Sequence, residues 1–204
     1  MKTRFALIAA CCAFPLVAAS AQTGRPDAEG FIRDWLVLGP FAIAENTGGD
    51  EIDKRQFATE PQPAAEEGAR QKVGEQELAW RKVAAKQFYL DFKELYPQQS
   101  EHVVAWAVVY VVSPEEKSGL TLRMNSNDQG KVYLNGREVV KFTDTRTLEK
   151  DAEDSAGNVT LKQGVNVLVL KVINEENNWQ GSVRLMDKSG RPVTEVKTLT
   201  RKEA

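Results

Sequence analysis

The most informative stretch of the chain runs from Val103 to Val112 and reads VVAWAVVYVV. Alternate positions of a β-strand lie on opposite faces, and here both alternating sets are apolar. A strand that is apolar on both faces is typical of a central position in a sheet that is covered on both sides. A helix is the competing interpretation, but the many β-branched residues and the Ser113-Pro114 stop favour a strand.

Shorter runs of the same character recur on both sides of this stretch, separated by Gly, Asn and Pro. They are Phe31–Phe41, Leu78–Val83, Gln87–Phe92, Leu120–Met124, Val132–Leu134, Glu138–Phe142, Asn158–Leu161, Val165–Ile173, Ser182–Met186 and Val193–Leu199, the last as an edge strand. Asn135-Gly136 is the preferred pair for a tight hairpin turn, because both central positions of that turn need a positive φ. About ten short strands at regular spacing predict an all-β, antiparallel two-sheet sandwich.

Residues 44–77 interrupt this regular spacing. They contain Gly48-Gly49, Pro61, Pro63 and many charges, and few large apolar side chains. The sequence predicts a long loop or excursion here, with one short helix near Ala64–Val73. Loops of this length are usually functional or poorly ordered. We expect the sandwich domain to span residues 31–198, after a flexible leader at 22–30 and before a polar tail at 199–204.

The first 21 residues have the pattern of a cleavable export signal. A basic start at Lys2 and Arg4 precedes an apolar run and the small-residue site Ala19-Ser20-Ala21. This predicts an exported protein, periplasmic or extracellular, without a retained membrane span. Cys11 and Cys12 are the two cysteines of the chain, so removal of the signal leaves no thiol and no disulfide. Ile8–Cys11 weakly resembles a lipoprotein processing site, but the apolar run continues beyond it.

Charge argues against nucleic acid as a partner. Removing Lys2 and Arg4 with the signal lowers the 27 basic residues to 25 against 29 acidic ones, which gives a formal charge of −4. Acidic and basic residues are interspersed, and no basic stripe stands out.

Four parts of the sequence resemble one known family. The segments are Trp35–Phe41 (WLVLGPF), Ser126–Gly136 (SNDQGKVYLNG), Leu161–Val172 (LKQGVNVLVLKV) and the closing region from Trp179 to Gly190. The first three are similar to the W-x-x-x-G-P-F, S-D-D-G-x-x-V-W-L-N-G and L-K-x-G-x-N-x-L-x-V-K-V stretches of galactose-binding-like β-sandwich modules in secreted bacterial proteins. The order and spacing fit from about residue 33 to about residue 190.

The resemblance implies a jelly roll, the architecture of many carbohydrate-binding modules, and the accessory binding of carbohydrate, usually beside a catalytic domain. It also implies that a structural calcium ion is possible. The usual acidic pair is Asn127-Asp128 here, which puts a two-carboxylate calcium site at that turn in doubt. The fold is reused widely, so it does not by itself assign a function.

The sequence contains no recognisable catalytic apparatus. His102 is the one histidine, and no serine lies in a G-x-S-x-G elbow. We expect His102 to be an ordinary strand-end histidine, and a single histidine without a thiol argues against a transition-metal site. Glu51-Ile52-Asp53 begins a glycosidase-like E-x-D-x-x-E pattern, but Gln56 stands where the last acid belongs.

The best candidates for ligand contact are Trp179, Asn177, Asn178, Glu175 and Asp128. An exposed tryptophan can stack on a sugar ring while amides and acids bind its hydroxyls. The structural alternatives are that Trp179 plugs the core and that Asp128 accepts backbone N–H groups in a turn. We therefore expect a non-catalytic, carbohydrate-binding-like module. The alternative is a structural or protein-interaction module in which residues 44–77 carry the contact.

Overall fold

The computed structural model describes residues 23–202, and these form an all-β protein with two main antiparallel sheets and a separate two-stranded hairpin. The predicted signal, with both cysteines, lies outside the described residues. The elements are β1 (Thr23–Gly24), β2 (Asp34–Ala42), α1 (Gly48–Glu51), β3 (Arg70–Val73), β4 (Gln76–Ala79), β5 (Arg81–Ala84), β6 (Leu90–Asp91), α2 (Phe92–Leu95), β7 (Val103–Ser113), β8 (Lys117–Asn127), β9 (Gly130–Leu134), β10 (Arg137–Phe142), β11 (Asp154–Leu161), β12 (Gly164–Asn174), β13 (Gln180–Met186) and β14 (Lys197–Leu199).

The two sheets face each other as a sandwich. The large sheet has the order β1-β14-β7-β12-β9-β10, with β2 also paired to β7 and β5 paired to β2, and the small sheet has the order β11-β8-β13-β6. Between them lies the inner core, to which alternate residues of the strands contribute, among them Trp35, Val109, Leu122 and Val172. The sandwich architecture that the sequence and the resemblance imply is thus present.

The central position of Val103–Val112 is confirmed. β7 pairs with β12 over eleven residues, from Val103↔Asn174 to Ser113↔Gly164, and with β2 and β14 on its other side. Its two faces are both buried, because residues 44–80 cover the side that faces away from the small sheet. The resulting outer core includes Leu36, Trp106, Tyr110 and Val169 from the large sheet.

The segment predicted as an excursion is therefore a packed layer, which we call the covering layer (residues 44–80). Its apolar residues Ile52, Phe57, Val73 and Trp80 are buried in the outer core. The helix predicted near Ala64–Val73 is wrong, since Arg70–Val73 is strand β3 and pairs with β4 in a hairpin. The spacing of single apolar residues there reflects contacts with the large sheet, not a helical face.

Two buried lysines of the large sheet, Lys131 and Lys171, fix the covering layer to it. Lys171 is fully buried, and its Nζ donates to the carbonyls of Glu51 at 3.0 Å and Lys54 at 2.6 Å. The Nζ of Lys171 also lies 3.2 Å from Oε1 of Glu60, which is equally buried. Burial lowers the pKa of Lys171, the Glu60 carboxylate opposing this. Removing one partner of such a buried pair typically costs ~3 kcal/mol or more.

Other predicted strands are shifted or divided. Leu78–Val83 is split at buried Trp80, because β4 belongs to the hairpin while β5 joins the large sheet. Of Gln87–Phe92, only Leu90–Asp91 is strand. Val193–Leu199 contributes only Lys197–Leu199, which lies between β1 and β7. The Asn135-Gly136 turn is confirmed, with φ of 51° and 81°.

Both ends of the described chain, including the predicted flexible leader, make contacts with the rest of the protein. Thr23–Gly24 pairs with β14, and the Asp27 carboxylate accepts the N–H groups of Glu29 and Phe31. Leu199, in the predicted polar tail, is buried in the outer core. Within residues 23–202 no helix is long and apolar enough to cross a membrane.

Candidate functional site

Trp179 is not available to a ligand. Its side chain is fully buried, its Nε1 donates to the Val172 carbonyl at 3.3 Å, and its ring centroid lies 5.1 Å from that of Phe92 and 5.9 Å from that of Tyr96. The expectation that Trp179 forms a ligand platform is therefore wrong, because no ring face is exposed. The tryptophan precedes β13 and closes the end of the inner core. This is the core-plug role that the sequence offered as the alternative.

Three of the other predicted residues meet in one place. Asp128, Glu175 and Asn177 line an open cleft of about 560 Å³ at one end of the sandwich, which we call the Asp128 cleft. Its remaining lining residues are Asn46, Gly49, Gln129, Thr143, Asp144, Thr145 and Glu176. Asn178 is exposed in the same β12–β13 loop, outside this lining.

Asp128 joins three loops at the base of the cleft. Its Oδ2 accepts the backbone N–H of Glu175 at 3.0 Å, and its Oδ1 accepts that of Arg146 at 3.2 Å. Burial raises the pKa of the Asp128 carboxyl, although these backbone donors oppose the shift. Asp128 thus accepts backbone N–H groups, as its structural alternative predicts, but from two other loops and not from its own turn, and these bonds fix the cleft wall in place.

Glu175 ties the start of the covering layer to the end of β12. Its Oε1 accepts the Gly48 N–H at 2.6 Å and its Oε2 accepts the Asn46 N–H at 3.1 Å. The Nδ1 of His102 lies 3.3 Å from Oε2 of Glu175. Because Glu175 is only 9% exposed, its carboxylate does not face the solvent and instead positions the loop at Asn46–Gly48.

Gln129 is a cleft residue that sequence reasoning missed. Its side chain is 3% exposed, and its Oε1 has no hydrogen-bond partner among residues 23–202. A Cβ at position 48 would come within 2.4 Å of this oxygen and 2.5 Å of Oε1 of Glu175, so the close approach requires Gly48. The only signal in the sequence is its position next to Asp128.

The buried carboxylates of the cleft are engaged by backbone donors, which bears on the calcium site considered for this turn. The carboxylate oxygens of Asp128 and Glu175 already accept backbone N–H groups, and Asn127 replaces the second acid of the family pattern. Residues 23–202 hold no group of three or more His, Cys, Asp or Glu side chains that could bind a metal. Oxygen-rich, charged ligand sets are what calcium requires.

The acids of the incomplete E-x-D pattern have structural partners. Glu51 accepts from Lys54 and Gln56, and Asp53 accepts from Lys131 at 2.6 Å and from Lys141 at 2.9 Å. They hold the covering layer, and no facing pair of free carboxylates for glycoside hydrolysis arises from them.

Comparison with known proteins gives likenesses to solved structures alone, since no family model and no curated protein matches the chain. A PA14 sugar-binding domain from an RTX adhesin is 9% identical, with a TM-score of 0.38, over 81% of this chain and 96% of that one. A family 35 carbohydrate binding module from an environmental isolate is 11% identical, with a TM-score of 0.34, over 84% and 97%. A β-glucuronidase of Ruminococcus gnavus is 14% identical, with a TM-score of 0.44, over 85% of this chain and 30% of that enzyme. None of these likenesses assigns a ligand to this chain.

Proposed function

We propose that the protein is an exported, non-catalytic binding module that takes a hydroxyl-rich, carbohydrate-like ligand in the Asp128 cleft. The observation that carries the proposal is that Asp128, Glu175 and Asn177, which the sequence singled out for this chemistry, line one open cleft. Its volume of about 560 Å³ is within the usual range for small-ligand sites, roughly 300–1,000 Å³.

The rim of the cleft offers the groups that bind hydroxyls. Asn46, Asp144, Glu176 and Asn177 are exposed there, so amide donors and carboxylate acceptors face the solvent. The buried carboxylates beneath them hold the loops through backbone N–H groups, which lowers the entropy cost of ordering the rim when a ligand binds.

A non-catalytic role is supported by the same contacts. A general acid or base must reach the proton that it transfers. Asp128 and Glu175 are 7% and 9% exposed and are directed at backbone N–H groups. The acids left at the rim, Asp144 and Glu176, are exposed, and Oδ1 of Asp144 accepts the Thr145 N–H at 2.8 Å.

A glycan array tests the proposal, with the unmodified protein compared against Asn177→Gly and Asn178→Gly. Glycine keeps the positive φ of Asn177, 70°, so the first variant removes an amide without straining the backbone. We expect Asn177→Gly to bind about fivefold to tenfold more weakly, because it loses one hydrogen-bonding side chain. Asn178→Gly, in the same loop but outside the cleft lining, should bind as the unmodified protein does.

Two results would contradict the proposal. One is that the unmodified protein retains no glycan, with or without added calcium. The other is that the Asn177 and Asn178 variants bind equally well. Export is tested separately by sequencing the N-terminus of the secreted protein, which should begin at Gln22.

A further inference from the structure

We propose that the groove beside Tyr89 is a second sugar-contact site, in which the tyrosine ring stacks on a pyranose ring. The groove is separate from the Asp128 cleft and shares none of its lining residues. The inference rests on the proposed function only in the class of ligand, and the two sites are distinguished by separate variants.

The groove lies on one open side of the sandwich, between the edge strand β5 of the large sheet and β6 with α2 of the small sheet. Its volume is about 340 Å³. Its lining places the apolar side chains of Leu90 and Leu95 beside the polar side chains of Lys86, Asp91 and Glu94. An aromatic ring with a few polar groups around it is the composition of many small-ligand sites.

Tyr89 differs from every other tyrosine of the chain. The chain has four tyrosines, and Tyr96, Tyr110 and Tyr133 are at most 9% exposed. Tyr89 is only partly buried, and it lines the groove. With Trp179 buried, it is the aromatic side chain among the groove and cleft linings that can present a ring to a ligand.

The ring of Tyr89 is held in place by a chain of aromatic contacts. It packs edge-on against Phe88 at a centroid distance of 5.0 Å, and Phe88 packs against Phe31 at 5.1 Å. The guanidinium of Arg184 lies 4.7 Å from the Phe31 ring and is bound to the Glu153 carboxylate. A ring fixed in this way loses little entropy when a ligand stacks on it.

Polar groups that could bind hydroxyls are fixed around the same ring. The Ala85 carbonyl accepts from Nε and Nη2 of Arg33 at 3.1 and 2.8 Å, which anchors the β5 side of the groove. On the other side, Asp91 accepts the Glu94 N–H at 2.9 Å, and Glu94 is ion-paired with Lys86. Because both members of this exposed pair line the groove, a sugar hydroxyl can donate to the acid or accept from the lysine.

α2 also connects this groove with the Asp128 cleft. Lys93, next to Glu94 in α2, donates from Nζ to the Asn177 carbonyl at 2.8 Å, and Asn177 lines the cleft. The two sites are therefore linked through α2 and the loop between β12 and β13.

Fluorine NMR of protein labelled with meta-fluorotyrosine tests the inference directly. The four tyrosines give four resonances, and Tyr89→Phe identifies the Tyr89 resonance by removing it. Titration with D-galactose, D-glucose, D-mannose and D-xylose should move the Tyr89 resonance saturably for at least one sugar. The resonances of the three buried tyrosines should stay in place.

Affinity electrophoresis of the full chain in gels containing soluble galactan, xylan, mannan or β-glucan gives the second measurement. Tyr89→Ala should weaken retention about tenfold, since one stacking contact is lost, whereas Tyr89→Phe keeps the ring and should retain the affinity. Phe41→Ala is the matched control, because Phe41 is a half-buried aromatic residue that lines neither site.

Each outcome decides between the two proposals. Weakening by Tyr89→Ala with normal Tyr89→Phe and Phe41→Ala supports the Tyr89 site. Loss of binding in Asn177→Gly with no change in Tyr89→Ala overturns the Tyr89 site and leaves the proposed function standing. A Tyr89 resonance that no sugar moves overturns the inference even if the Ala variant fails to fold.

Discussion

At the scale of single residues, the covering layer depends on charges that the sequence scatters widely. Lys131 and Lys171 are direct cross-strand partners on β9 and β12, and like charges in such a pair repel. Glu60 compensates Lys171, while Asp53 and Glu138 lie 2.6 and 3.0 Å from Nζ of Lys131. Two buried lysines in a sheet therefore require acids and carbonyls around them, and residues 51–60 provide these together with Glu138 of β10.

Asp53 should make the stability of the protein depend on acid pH. Lys131, and then Lys141, hold the pKa of the Asp53 carboxyl below its ordinary value of 3.8. A carboxyl whose pKa is lower in the folded state stabilises fully above its unfolded pKa, and this contribution is lost as pH falls through the folded pKa. Since the side chain is 54% exposed, solvent screening limits the effect to less than about 1 kcal/mol.

We therefore expect Asp53→Asn to lower the free energy of unfolding near neutral pH, with the difference from the unmodified protein vanishing in strong acid. Urea unfolding at a series of pH values measures this. Asp151→Asn, the same change at an exposed turn position, is the control. A difference that stays constant down to the most acid pH would show that the charge of Asp53 has no role.

At the scale of elements, prediction succeeded where the residue pattern alone determines the environment. β7 is apolar on both faces and is central, and Asn135-Gly136 makes the tight turn. Prediction failed where a contact with a distant element decides. Arg70–Val73 forms a strand only because β4 pairs with it, and Trp179 is buried because Phe92 and Tyr96 enclose it. The sequence predicts part of the candidate site. It singles out Asp128, Glu175 and Asn177, which line the Asp128 cleft, but no sequence pattern points to Gln129 or Tyr89.

The covering layer should behave as part of the fold and not as a removable loop. Phe57 is 7% exposed and lies edge-on to Trp106 at 5.3 Å. We expect Phe57→Ala to cost about 3 kcal/mol, because it leaves a cavity in the outer core. Lys72→Ala, on the exposed side of the β3–β4 hairpin, should change stability by less than about 0.5 kcal/mol.

Thermal unfolding and limited proteolysis check this expectation, and they also bear on the alternative function. Replacing residues 44–80 by a short linker should expose Trp106 and Tyr110 and give an insoluble protein. If the shortened protein is soluble and its melting temperature is unchanged, these residues are not part of the fold. That result would support the alternative in which they form a separate partner-binding segment. A partner-binding role for the layer is best sought with substitutions on its exposed side.

At the scale of the whole molecule, the large sheet is the middle of three layers, with the small sheet on one face and the covering layer on the other. Val172 and Val169 on β12 are both fully buried, but Val172 belongs to the inner core and Val169 to the outer core.

If the three layers form one cooperative unit, each Val→Ala change should cost a similar amount, about 2 kcal/mol, because each removes the same atoms from a close-packed site. Urea midpoints of the two single variants measure the costs, and an unchanged slope of the free energy with urea shows that unfolding stays two-state. A loss confined to Val172→Ala, with Val169→Ala near zero, would mean that the covering layer opens before the sandwich unfolds. The Asp128 cleft, which lies where Asn46 and Gly49 of that layer meet the loop between β12 and β13, would then open with it.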